Sequence, residues 1–122
     1  MRDSLFGMFN FEKLDVWQKA IAFAGLVYPL TRGFPPDERF GLTNQIRRAA
    51  VSVSSNIAEG SARPPADFAK FIGYASGSVC EVITQATIAR NESLLANPDF
   101  DELYLKADEI SRMLSGLRKS LE

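Results

Sequence analysis

Apolar side chains recur along this chain at steps of three and four, and no stretch shows the period of two that marks a half-buried strand. Leu14, Trp17, Ile21, Ala24 and Tyr28 share one face and predict a helix over residues 15–31. Pro29 falls in its last turn, where it kinks or frays the end, and Gly33, Pro35 and Pro36 stop it. A second helix is predicted over 36–59, with Asp37 and Glu38 at the positive end of its dipole and Leu42, Ile46, Ala49, Val53 and Ile57 on its apolar face. Gly60 supplies its C-terminal stop. Pro64, Pro65 and Asp67 restart the chain into a third helix over 65–95, with Phe68, Ile72, Ala75, Val79, Val82 and Ala86 as its stripe. Gly73 and Gly77 weaken that helix and point to a close neighbour on their side. Asn97-Pro98-Asp99 opens a fourth helix over 98–120, carrying Leu103, Ala107, Ile110, Leu114, Leu117 and Leu121.

Four helices with short connections predict an all-α fold, an antiparallel up-down-up-down four-helix bundle. At 122 residues the chain holds one such domain and is too short for two separate cores. Helix one adds a second apolar row, Val16, Ala20, Phe23, Val27 and Leu30, beside the first. The two rows together span roughly 200°, against the ~100° that a core-facing helix needs. The surplus predicts a homo-oligomer with Val16, Phe23, Val27 and Leu30 as interface candidates; the alternative is an unusually enclosed central helix.

Composition narrows the chemistry. The chain has no histidine, which removes Ser-His-Asp and Cys-His catalysis, imidazole acid–base chemistry and nearly every transition-metal site. Cys80 is the single cysteine, so no intrachain disulfide can form; within its apolar helical run it reads as a small buried hydrophobe rather than a nucleophile. Fourteen basic against fifteen acidic side chains leave a net charge of −1, without the basic excess of a dedicated nucleic-acid binder. No apolar run approaches the roughly 18 residues of a membrane span, and MRDSLFGMFNFEKLD lacks a leader pattern, so the expected location is the cytoplasm, with no membrane partner. Neither cofactor nor metal is expected, and the residues point to a non-enzymatic protein.

The densest polar feature runs from Gln45 to Gly60. On a helix, Gln45, Arg48, Ser52, Asn56 and Glu59 form a stripe beside the apolar arc. Ser78, Glu81 and Gln85 form a second row on helix three that is placed to face it. In the structural reading Gln45, Ser52, Asn56, Glu59, Ser78 and Glu81 hold register between helices through hydrogen bonds. In the functional reading Arg47 and Arg48, with Arg63 in the following loop, contact the phosphates of RNA or DNA. Glu59 and Glu81 lack the Glu-x-x-His pairs of diiron bundles and pair more naturally with Arg47 or Arg48.

These same residues carry a family resemblance. Phe11, Leu14, Val16 and Trp17, the block QIRRAAVSVSSNIAEG from Gln45 to Gly60, and GSVCEVITQ from Gly77 to Gln85 make the chain similar, over about Phe11 to Leu121, to the four-helix-bundle proteins encoded within intervening sequences of bacterial 23S rRNA genes. Val79 and Val82 stand where that family usually has Leu, and Ser54 where Pro is common. The resemblance implies a helical bundle assembled as a ring-like homopentamer. One related branch assists a retroelement reverse transcriptase and binds nucleic acid through basic surfaces, but that branch is strongly basic and this chain is not. Two functions stay open: an oligomeric module binding RNA or DNA through arginines repeated around the ring, and a protein-interaction scaffold without nucleic acid.

Overall fold

The structure, a computed structural model, describes residues 7–122. Part of the leader stretch read for localisation, residues 1–6, lies outside the described residues. A short 3-10 turn at Asn10–Lys13 leads into four α-helices: α1 (Asp15–Thr31), α2 (Leu42–Ser61), α3 (Pro65–Asn91) and α4 (Asn97–Ser120). Among the described residues there is no strand. Each helix packs on its neighbours in sequence and α1 also packs on α4, closing a circuit in which α2 against α3 is the most extensive pairing. All four contribute to one core cluster, led by Phe23, Ile46, Ile57, Ile72, Leu103, Ile110 and Leu114. Each such side chain taken out of water stabilises the fold by ~1.5–3 kcal/mol.

Helix one turns the opposite way from the sequence reading. Val16, Phe23 and Val27 are 4%, 2% and 1% exposed and lie in this chain's own core, so these three are not available as an oligomer interface, while Leu30 packs partly buried against that core. The row taken as core-facing is the half-exposed one: Ile21 is 46% and Tyr28 39% exposed, and Trp17 and Ala24 are partly buried. Periodicity finds two apolar rows without ranking them. The choice follows from chemistry, because Trp17 and Tyr28 carry polar tips that reach water whereas Phe23 and Val27 carry none.

Three boundaries also move. Pro36–Glu38 forms a separate 3-10 turn, and α2 begins only at Leu42, whose N–H donates to the Glu38 carboxylate at 3.1 Å. Helix two continues through Gly60 to Ser61, so Gly60 is a packing glycine rather than a stop. Helix three ends at Asn91 instead of running to 95. There Ser93 takes φ +62°, its N–H donates to the Arg90 carbonyl at 3.0 Å, and the Leu94 N–H donates to the Ala89 carbonyl at 2.8 Å. Those two bonds are the Schellman closure of a helix end. Gly73 and Gly77 have no atom within 4 Å of where a Cβ would stand, so the close neighbour expected beside them is not found among the described residues.

Candidate interaction surface

The three arginines singled out from the sequence have three different surroundings. Arg47 is half-buried between α1 and α2: its Nε donates to Thr31 Oγ1 at 2.8 Å and its guanidinium stacks 4.9 Å from the Tyr28 ring centroid. The Thr31 hydroxyl lies 2.9 Å from the Val27 carbonyl and 3.1 Å from that of Tyr28, so its proton is engaged by the backbone and its lone pair is free for Arg47. Arg63 pairs with Glu59 at 3.8 Å and stacks 4.7 Å from the Phe71 centroid. Arg48 is exposed, and among the described residues no carboxylate stands within ion-pair distance of it. The three therefore do not converge on one cationic site.

The polar stripe does not join the helices in the way the sequence reading expected. Ser52 Oγ donates to the Arg48 carbonyl at 2.9 Å and Asn56 Nδ2 to the Ser52 carbonyl at 2.8 Å, both within α2. Ser and Asn side chains in a helix find the carbonyl one turn back before they reach a neighbouring helix. Gln45 and Glu81 are exposed, Glu59 is held by Arg63, and Ser78 is buried against the core. Gln85 Oε1 is buried without a hydrogen-bond partner.

What the structure brings together is apolar. Because Tyr28 lies under Arg47, the row Trp17, Ile21, Ala24 and Tyr28 borders α2, where Val51, one turn beyond Arg47 and 41% exposed, extends it. Across the bundle, α3 and α4 border a groove of about 340 Å³ lined by Val79, Cys80, Ile83, Thr84, Tyr104, Ala107, Asp108 and Ser111. Cys80 is exposed in that groove, not buried as its apolar neighbours implied. It stands one residue past Val79, so it lies about 100° off the core direction. A second groove of about 410 Å³ between α1 and α4 has Phe23, Leu26 and Ile110 among its lining, with the Lys19–Glu109 ion pair at 3.3 Å on its rim. The missing sequence signal for these surfaces is helix phase: the half-exposed aromatic row was visible, but which side it occupied was not.

Among the described residues no cluster of three or more His, Cys, Asp or Glu side chains is placed to hold a metal ion, and no helix is long and apolar enough to cross a membrane. No curated protein matches the chain. A solved structure from Bacteroides thetaiotaomicron VPI-5482, described as a protein of unknown function from the S23 ribosomal protein family, is similar in fold with a TM-score of 0.78. It is 21% identical and the match covers 85% of this chain and 95% of that one. The family match spans residues 12–116, which takes in α1, α2, α3 and most of α4. By that match the chain belongs to the 23S rRNA-intervening sequence protein family.

Proposed function

We propose that this protein is a non-enzymatic, single-domain bundle of up-down-up-down topology that self-associates in the cytoplasm and acts as a protein-interaction scaffold. The short connections, residues 62–64 between α2 and α3 and 92–96 between α3 and α4, favour antiparallel neighbours. The observation that carries self-association is the apolar row on the outside of the α1–α2 seam: Ile21, Tyr28 and Val51 are each around two-fifths exposed and lie beside Trp17 and Ala24. A contiguous apolar surface of this kind is covered in a stable protein. Five subunits is the number the family resemblance favours. RNA or DNA binding is the second reading and draws on the exposed Arg48.

Light scattering coupled to size exclusion tests the proposal. The wild-type chain is expected to run as an oligomer, and Ile21→Glu, at an exposed position, is expected to reduce it to the 13.5 kDa protomer with its helix content intact. A wild-type mass of 13.5 kDa at micromolar concentration overturns self-association. A dimer keeps the α1–α2 contact and rejects the pentamer.

A further inference from the structure

We propose that residues 7–13 form a strap that swings open about Leu14 while the bundle stays folded, and that its closing covers one face of Trp17 at the end of the α1–α2 apolar row. The strap rests on α1 and α2 without joining the core. None of Asn10–Lys13 is buried, Met8 and Phe9 are 74% and 64% exposed, and no strap residue belongs to the core cluster or to the partly buried side chains packed against it. Leu14 is the hinge, with extended backbone (φ −76°, ψ 123°) between the turn and α1. Its carbonyl accepts from the Trp17 and Gln18 N–H groups at 3.1 and 3.2 Å, bonds that a swing of residues 7–13 leaves in place.

Two contacts latch the strap to α1. Gln18 Nε2 donates to the Glu12 carbonyl at 2.7 Å, and Phe11 lies 5.1 Å from Trp17 between ring centroids, with Phe9 stacked on Phe11 at 5.6 Å. The Glu12 carboxylate holds the strap in shape without attaching it, since it accepts from the Gly7 and Phe9 N–H groups, both within the strap. Among the described residues no hydrogen bond runs from the strap to α2, α3 or α4. One exposed hydrogen bond and one aromatic pair stand against the backbone freedom that the strap regains on release, so it opens far more often than the bundle unfolds. Closed, Phe11 screens Trp17; open, the uncovered indole face lengthens the apolar row of Ile21 and Tyr28. The strap sets how much apolar surface one protomer presents, whether or not copies associate.

Gln18→Ala tests the latch without altering the strap or its hinge. Gln18 is exposed and alanine is the better helix former, so the change does not weaken α1. One readout is hydrogen exchange of the Leu14 N–H, which donates to the Phe11 carbonyl of the strap at 3.0 Å. The other is acrylamide quenching of Trp17, the one tryptophan of the chain. In the parent, Leu14 is expected to exchange ~100-fold or more faster than the core amide of Val53, at a rate that low urea leaves unchanged, as in a local opening. Gln18→Ala is expected to speed Leu14 exchange about fivefold, the weight of one exposed hydrogen bond, and to raise Trp17 quenching, with a Tm equal to the parent's or higher. Asn10→Ala, at an exposed strap position whose side chain makes no hydrogen bond among the described residues, is expected to leave both readouts at parent values. The strap is overturned, and the turn is a fixed part of the bundle, if Leu14 in the parent is as protected as Val53. The same holds if Gln18→Ala fails to speed exchange or to raise quenching, or if it lowers Tm as exchange accelerates.

Discussion

At Gly60 the hydrogen on Cα is all that the space between α2 and α3 admits. A Cβ there would stand 2.5 Å from Phe71 Cβ and 3.0 Å from Phe68 Cδ1, and Phe71 Cβ is fixed to the backbone and has little room to retreat. Gly60→Ala is therefore expected to destabilise the protein by ~1–3 kcal/mol, the range of overpacked cores. Gly116 is also helical, in α4, but has nothing within 4 Å of its Cβ position. Gly116→Ala is expected to gain ~0.5–1 kcal/mol by removing backbone freedom from the unfolded chain. Urea denaturation of the two variants beside the parent checks the pair, and equal midpoints for Gly60→Ala and the parent reject the packing account. The sequence could not separate these roles, since a glycine after a periodic run has the same local signature whether it ends the helix or admits a neighbour. Cys80 was misplaced for a related reason: a 100° step from Val79 decides between core and groove, and only the packing of α4 fixes where that boundary falls.

At the scale of elements, the existence and type of all four helices were legible because each is 17 residues or longer and carries an apolar stripe that holds period along most of it. Their ends were less so. The α2 start depends on Gly41 and on the Glu38 carboxylate reaching forward to the Leu42 N–H, which composition near Pro35 and Pro36 does not encode. The α3 end depends on Ser93 accepting a left-handed backbone, and no glycine marks it. An L-residue in that region costs ~1–2 kcal/mol that glycine does not. Ser93→Gly should accordingly stabilise the protein by about 1 kcal/mol, raising Tm by roughly 3–6 °C for a domain of this size. Thermal melting followed by circular dichroism measures this; an unchanged or lower Tm means that the gain is cancelled by the added freedom of the unfolded chain at this turn.

At the scale of the molecule, the sequence showed that α1 has more apolar surface than one core can take, but assigned the surplus to the wrong row, and it grouped three arginines that the fold sends to different tasks. Arg47 ties the end of α1 to α2 through Thr31 and Tyr28, Arg63 is paired with Glu59 and stacked on Phe71, and Arg48 alone faces solvent without an ion-pair partner among the described residues. Phosphate binding gains its affinity from counterions released per contact, with log K falling by about 0.9 per contact per decade of salt on duplex DNA. Of the three arginines singled out, only Arg48 is free among the described residues, which gives few such contacts even when a ring repeats it. Fluorescence anisotropy with labelled RNA and DNA at low salt is thus expected to show no binding at tens of micromolar protein, weaker than the ~1–100 μM of ordinary non-specific binders. Arg47→Ala should lower stability by about 1–2 kcal/mol through loss of the stacked, hydrogen-bonded guanidinium, and Arg48→Ala should leave stability unchanged. Salt-sensitive binding that disappears in Arg48→Ala, with assembly retained, would instead establish the nucleic-acid reading and displace the scaffold.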